Sequence, residues 1–165
     1  MPRRASLASL AALLAAACAS NPTNDPAGGE GSGTPAAAVG EASAAQGPLA
    51  ATLRLAATTV ATGDSVRVRF AVRNASQAPV AVTFSCTAPA YLALVPAAGG
   101  EAVDGSGCGQ AITERTLAAG AEQVMAMAFR APAAGRYVVT AEPTVIQAGG
   151  APLKLPPLRA ELEVR

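Results

Sequence analysis

The residues best suited to chemistry lie in one stretch, FSCTAPAYLALVPAAGGEAVDGSGCGQ, residues 84–110. It holds Cys86 and Cys108, the hydroxyl of Ser106 within DGSGCG, and the carboxylates of Glu101 and Asp104. Two cysteines offer three roles: metal ligation, dithiol exchange or a covalent cross-link. A structural zinc site takes four ligands, usually paired C-x-x-C or cysteine with histidine. This chain has no histidine and no C-x-x-C, so neither zinc nor a thioredoxin-type redox pair fits. The missing imidazole also removes the commonest general base at neutral pH and any Ser-His-Asp or Cys-His site. DGSGCG is not the G-x-S-x-G of a nucleophile elbow, and Ser106 reads as turn chemistry. Glu101 and Asp104 are a carboxylate pair by type, but nothing in their spacing fixes a geometry for acid–base work. Met125 and Met127 carry thioethers of the kind copper prefers. They alternate in phase with Phe129, which assigns them to a core face. The sequence therefore points to no enzyme, no metal and no cofactor.

What remains for Cys86 and Cys108, 22 positions apart, is a disulfide or two separate buried thiols. The compartment favours the first. MPRRASLASLAALLAAACAS has Arg3 and Arg4, then an apolar run from Leu7 to Ala17, then small residues, which is the build of an export signal. Exported proteins meet an oxidising environment in which disulfides persist. AAAC before Ala19 is similar to a bacterial lipobox, which makes Cys18 the expected lipidation site and the lipid the membrane anchor. Ordinary cleavage near Ala17 or Ala19, releasing a periplasmic or secreted protein, is the alternative. A twin-arginine signal fits less well, because RRASL lacks a bulky residue after the pair.

These groups need a frame. Residues 1–18 are the signal and lipobox. Residues 19–47 are rich in Gly, Ser, Pro and Ala with no aromatic, and are expected to form a flexible linker. From residue 48 the sequence alternates, and 48–165 is expected to be one domain. In LRLAATT the spacing places Leu53, Leu55 and Ala57 on one face. SVRVRFAVRN places Val66, Val68, Phe70 and Val72 inward, with Arg67, Arg69 and Arg73 outward. VAVTFSC aligns Val80, Val82, Phe84 and Cys86, while LRAELEV alternates from Leu158 to Val164. YLALV, AEQVMAMAF and RYVVTAE complete a set of about seven or eight short strands with frequent turns, the pattern of an all-β, immunoglobulin-like antiparallel sandwich. Alanine supplies much of the 51% hydrophobic content and aromatics only 3%. The core is therefore thin, and a cross-link would help to hold it. A formal net charge of +1 argues against a nucleic-acid partner. Arg54, Arg67, Arg69 and Arg73 form either a basic patch for an acidic or lipid partner or an ordinary solvated strand face.

Several segments in order resemble the BsuPI family, the intracellular proteinase inhibitor domain. VRVRFAVRNASQAPVAVTFSC resembles its alternating strand followed by N-x-S/T-x-x-P-V. YLALVPAAGGEAV resembles the next strand and glycine turn. TERTLAAGAEQVMAMAF resembles the L-x-P-G-E turn and its following strand, with Ala119 in place of proline. APAAGRYVVTAE resembles the G-x-Y-x-V-x-A strand through Gly135 and Tyr137. The match covers most of residues 60–142, and the paired cysteines occupy the region of the family's tryptophan-containing stretch. The resemblance implies an immunoglobulin-like sandwich and a protease among the conceivable partners. The Gly135–Tyr137 pair is also similar to a tyrosine corner. The functional expectation is an exported, membrane-anchored interaction module for a protease or an envelope protein. An active proteinase inhibitor and a structural envelope lipoprotein are the alternatives. The candidate binding loop is the segment closed by the cysteines, with Thr87, Tyr91, Glu101, Asp104 and Gly107. The sequence leaves the oligomeric state open.

Overall fold

The computed structural model describes residues 38–165. The expected signal, the lipidation site Cys18 and residues 19–37 lie outside the described residues. In chain order the strands are β1 (Ala38–Val39), β2 (Glu41–Gln46), β3 (Leu49–Leu55), β4 (Thr59–Val60) and β5 (Ser65–Asn74). There follow β6 (Val80–Phe84), β7 (Ala90–Pro96), β8 (Asp104–Gly105), β9 (Thr113–Leu117) and β10 (Glu122–Arg130). The last are β11 (Gly135–Pro143), β12 (Val145–Ala148), β13 (Ala151–Pro152) and β14 (Leu158–Val164).

They build a sandwich. One sheet has the order β10-β5-β3-β2. A second runs β1-β14-β11-β7-β8, with β4 also on β14. A third runs β13-β12-β6-β9. Alternation in the sequence becomes alternation in burial. Val66, Val68, Phe70 and Val72 are buried in β5, and β14 alternates buried and exposed without interruption. In the first sheet Phe70 stands between Leu53 of β3 and Met125 of β10, so one core row crosses three strands. Phe70 and Leu53, both fully buried, each contribute about 1.5–3 kcal/mol.

The second and third sheets are joined at a bend. β11 and β12 are consecutive, separated only by Thr144. Thr144 is 3% exposed, and its backbone and side chain are all used. Its N–H donates to the Pro89 carbonyl (3.0 Å), its carbonyl accepts from Ser85 N–H (2.8 Å), and its hydroxyl donates to Ala88 (2.6 Å). A second polar anchor is Asn74, fully buried at the end of β5. Its side-chain amide donates to the carbonyls of Ala78 (2.7 Å), Leu117 (2.9 Å) and Ala118 (3.2 Å). Its side-chain oxygen accepts from Ser76 N–H (2.9 Å) and hydroxyl (2.7 Å). One residue thus pins the β5–β6 turn to the β9–β10 turn. The Tyr137 hydroxyl donates to the Ala133 carbonyl, four residues upstream, at 3.1 Å, which is the geometry of a tyrosine corner.

Three expectations change in detail. The linker does not extend to residue 47, because Ala38–Val39 and Glu41–Gln46 are strands of the sandwich. Ala42 and Ala44 pack against the core while Glu41, Ser43 and Ala45 face out. Alanine buries so little area that this period-two signal does not stand out from a linker-like composition. The β2–β3 turn is made by Gly47 at φ 56°, where a side chain would be strained and would meet Leu153 at 3.0 Å. The strand over LRLAATT stops at Leu55, and Ala57 is exposed rather than inward. Finally, the sandwich is antiparallel except at β14, whose free side takes β1 and β4 in parallel.

Candidate functional site

Cys86 and Cys108 form a disulfide, with Cα atoms 6.0 Å apart. Cys86 is fully buried just after β6, on the inward phase that Val80, Val82 and Phe84 establish. Cys108 follows β8 and is partly exposed. The Thr87 N–H donates to the Gly109 carbonyl (3.3 Å) beside the bond.

The enclosed segment is more than a loop. Its first half is β7, which pairs with β11 and buries Leu92 and Leu94. Its second half returns as β8, with Gly105 opposite Ala93 and Asp104 opposite Leu94. Ser106 continues this pairing through its N–H to the Leu92 carbonyl (2.8 Å), and its hydroxyl accepts from Leu92 N–H (2.8 Å). The serine is thus committed to the hairpin. The candidate loop reduces to the hairpin tip around Glu101 and the crossing from Gly107 to Ile112.

The predicted binding residues separate accordingly. Glu101 and Gly107 are exposed, with Asp104 exposed between them on β8 and its carboxylate accepting from Gly105 N–H (2.8 Å). Thr87 is exposed near Gly109. Tyr91 is the one that enters a concave surface. Because Ala90, Leu92 and Leu94 of β7 point inward, Tyr91 points out, opposite Glu142 of β11, and is 42% exposed. It lines a groove of about 650 Å³ with Ile146, Pro152 and Leu153, and with Glu142 and Lys154 at the polar rim. Ile146 is 41% exposed there. Sequence reading missed Ile146, Pro152 and Leu153. The only available signal was an isoleucine beside a proline-rich stretch, and the third sheet that brings them to Tyr91 is not visible in the alternation pattern.

The arginine face is the second surface. Arg54 and Arg69 are direct cross-strand neighbours in the first sheet. Like charges so placed repel, and each is met by a glutamate: Arg54 by Glu41 at 3.0 Å, Arg69 by Glu122. A shallow depression of about 460 Å³ lies between Arg54, Arg67, Arg69 and Met127. Met125 and Met127 are partly buried against the core, on the same phase as Phe129. Among the described residues no three His, Cys, Asp or Glu side chains gather in a metal-binding arrangement. At the end of β14, hydrogen bonds from Arg165 (3.1 and 3.2 Å), then its charge, hold the Glu163 carboxyl below the usual carboxylate range. Both side chains are in water, and this pair lies on an open strand end.

No family model matches the sequence, and no curated protein matches it either. Among solved structures, a β-glucosidase from Erythrobacter marinus is similar with a TM-score of 0.42 and 12% identity, over 76% of this chain and 15% of that one. The Pseudomonas fluorescens alkylpurine DNA glycosylase bound to DNA gives 0.37 and 18%, over 77% and 31%. A Listeria innocua β-glucosidase in complex with isofagomine gives 0.34 and 17%, over 69% and 16%. This chain spans less than a third of each of these proteins, and likeness at this level carries neither fold family nor function to it.

Proposed function

We propose that this protein is a non-enzymatic interaction module, exported, held at the cell envelope by a lipid on Cys18, and built on a BsuPI-type domain. The observation that carries the binding role is the Tyr91–Ile146 groove: two exposed apolar side chains, on β7 of the second sheet and β12 of the third, with a charged rim and the Cys86–Cys108 bond tying the β7–β8 hairpin to the end of β6. Aromatic anchors in a rigid concave patch with a polar border are the usual core of a protein-recognition site. The occupant is a protein of the envelope that presents an apolar side chain to Tyr91. Export and lipidation rest on the Arg3–Arg4 signal and AAAC, and the family rests on the order of the segments from Val66 to Glu142.

The test uses the mature exported protein and a Tyr91→Ser/Ile146→Ser variant as baits for envelope extract. Wild type is expected to retain a partner that the variant loses. An identical captured set would remove the groove from the proposal. The mass of the mature N-terminus decides lipidation at Cys18. Active proteinase inhibition is the competing reading; slowed hydrolysis by a serine protease in the presence of excess protein would establish it.

A further inference from the structure

Strand β10 ends the first sheet, and among the described residues it pairs only with β5. Among the described residues no strand receives the row of backbone N–H and C=O groups on the outer edge of β10. Proteins ordinarily guard such edges by keeping them short or by adding charge, proline or a bulge. Most other edges here follow that rule: β8 and β13 are two residues long, and β9 carries Glu114 and Arg115 at its centre. β2, the far edge of the first sheet, is longer at six residues and has its one charge, Glu41, at its start. β10 departs further. It is nine residues long, EQVMAMAFR, without proline or bulge, and its only charges are at its two ends.

The positions of those two charges identify the occupant. We propose that β10 is a homodimer seam, pairing antiparallel with β10 of a second copy about a two-fold axis at Ala126. In that register each Glu122, which also holds Arg69 of its own copy, faces Arg130 of the second copy, so two opposite-charge pairs close the ends. Val124 faces Ala128, and Ala126 faces itself. These residues form the outward phase, with Val124 41% exposed. On the inward phase Met125 faces Met127, and the partly buried methionines of the two copies extend one core into the other. The outward phase is self-complementary in charge and in size, as a two-fold interface requires, while on the inward phase the remaining pair sets Gln123 against Phe129. The pairing joins two four-stranded sheets into one continuous sheet.

Sedimentation of the mature oxidised protein across a concentration series tests this. Wild type is expected to move from monomer to a dimer of twice the mass, with β10 amide exchange slowing in step. Ala126→Lys sets two ammonium groups against each other at the axis, on an outward position, and is expected to weaken the dimer at least tenfold while the monomer stays folded. Should that variant misfold, charge exchange decides. Glu122→Arg alone and Arg130→Glu alone each place like charges in register and are expected to weaken association several-fold, whereas an equimolar mixture of the two regains it. A strictly monomeric protein, open-ended polymers, a dimer indifferent to Ala126→Lys and to both charge reversals, or an edge filled only by another protein's extended segment would each overturn the proposal.

Discussion

At the residue scale, Asn74 is where one side chain does the most for the fold. All of its polar atoms are engaged in a site with no solvent. Replacing it with alanine leaves the Leu117 carbonyl without that donor and frees the Ser76 N–H. Asn74→Ala is expected to cost about 2–4 kcal/mol, because unmade bonds to buried groups cost more than made ones contribute. Urea unfolding with an unchanged m-value measures it, and a cost below about 0.5 kcal/mol would show that water reaches the site. In the sequence this asparagine is simply the first residue of NASQAP, a turn-like composition. Its burial depends on the β9–β10 turn arriving from 43 positions away, and no local pattern encodes that. Tyr137 was easier to read, since the corner bond is local and spans four residues. Tyr91 was legible as a surface residue, but its neighbours in the groove were not.

At the element scale, period two made β5, β6 and β14 readable with their inward faces, because each carries large apolar residues against charged or polar ones. The method loses strands built from alanine. β2 pairs with β3 over its full length, from Glu41 opposite Arg54 to Gln46 opposite Leu49, yet its inward residues are only Ala42 and Ala44. A chain truncated before Pro48, where the composition changes, should therefore lose a folded strand and open the β3 edge. Its thermal midpoint is expected to fall by about 5 °C or more relative to a chain beginning at residue 34, with increased aggregation. Equal midpoints would return residues 38–46 to the role of a linker. The bend at Thr144 was unreadable for a different reason. A threonine between two strands looks like any other, and only the carbonyls of Pro89 and Ala88 beside it show that it joins two sheets.

At the scale of the molecule, the disulfide closes the hairpin that holds Tyr91 and ties it to β6, so covalent and core stability converge on one side of the sandwich. In the chain-entropy view a loop of 22 positions stabilises by about 3 kcal/mol. Cys86→Ala/Cys108→Ala is expected to lower unfolding free energy by that amount, read from denaturation of oxidised wild type and variant. Alkylation of both native thiols would show that the bond does not form. The position of β14 has a kinetic consequence. It lies in the interior of its sheet, bonded to β11 on one side and to β1 and β4 on the other, joining residues 38 and 160. The pairings of β11, β1 and β4 to β14 cannot form until residues 158–164 have been synthesised. Closure of that sheet therefore waits on contacts between residues more than 100 positions apart, which makes it a late and slow step of folding.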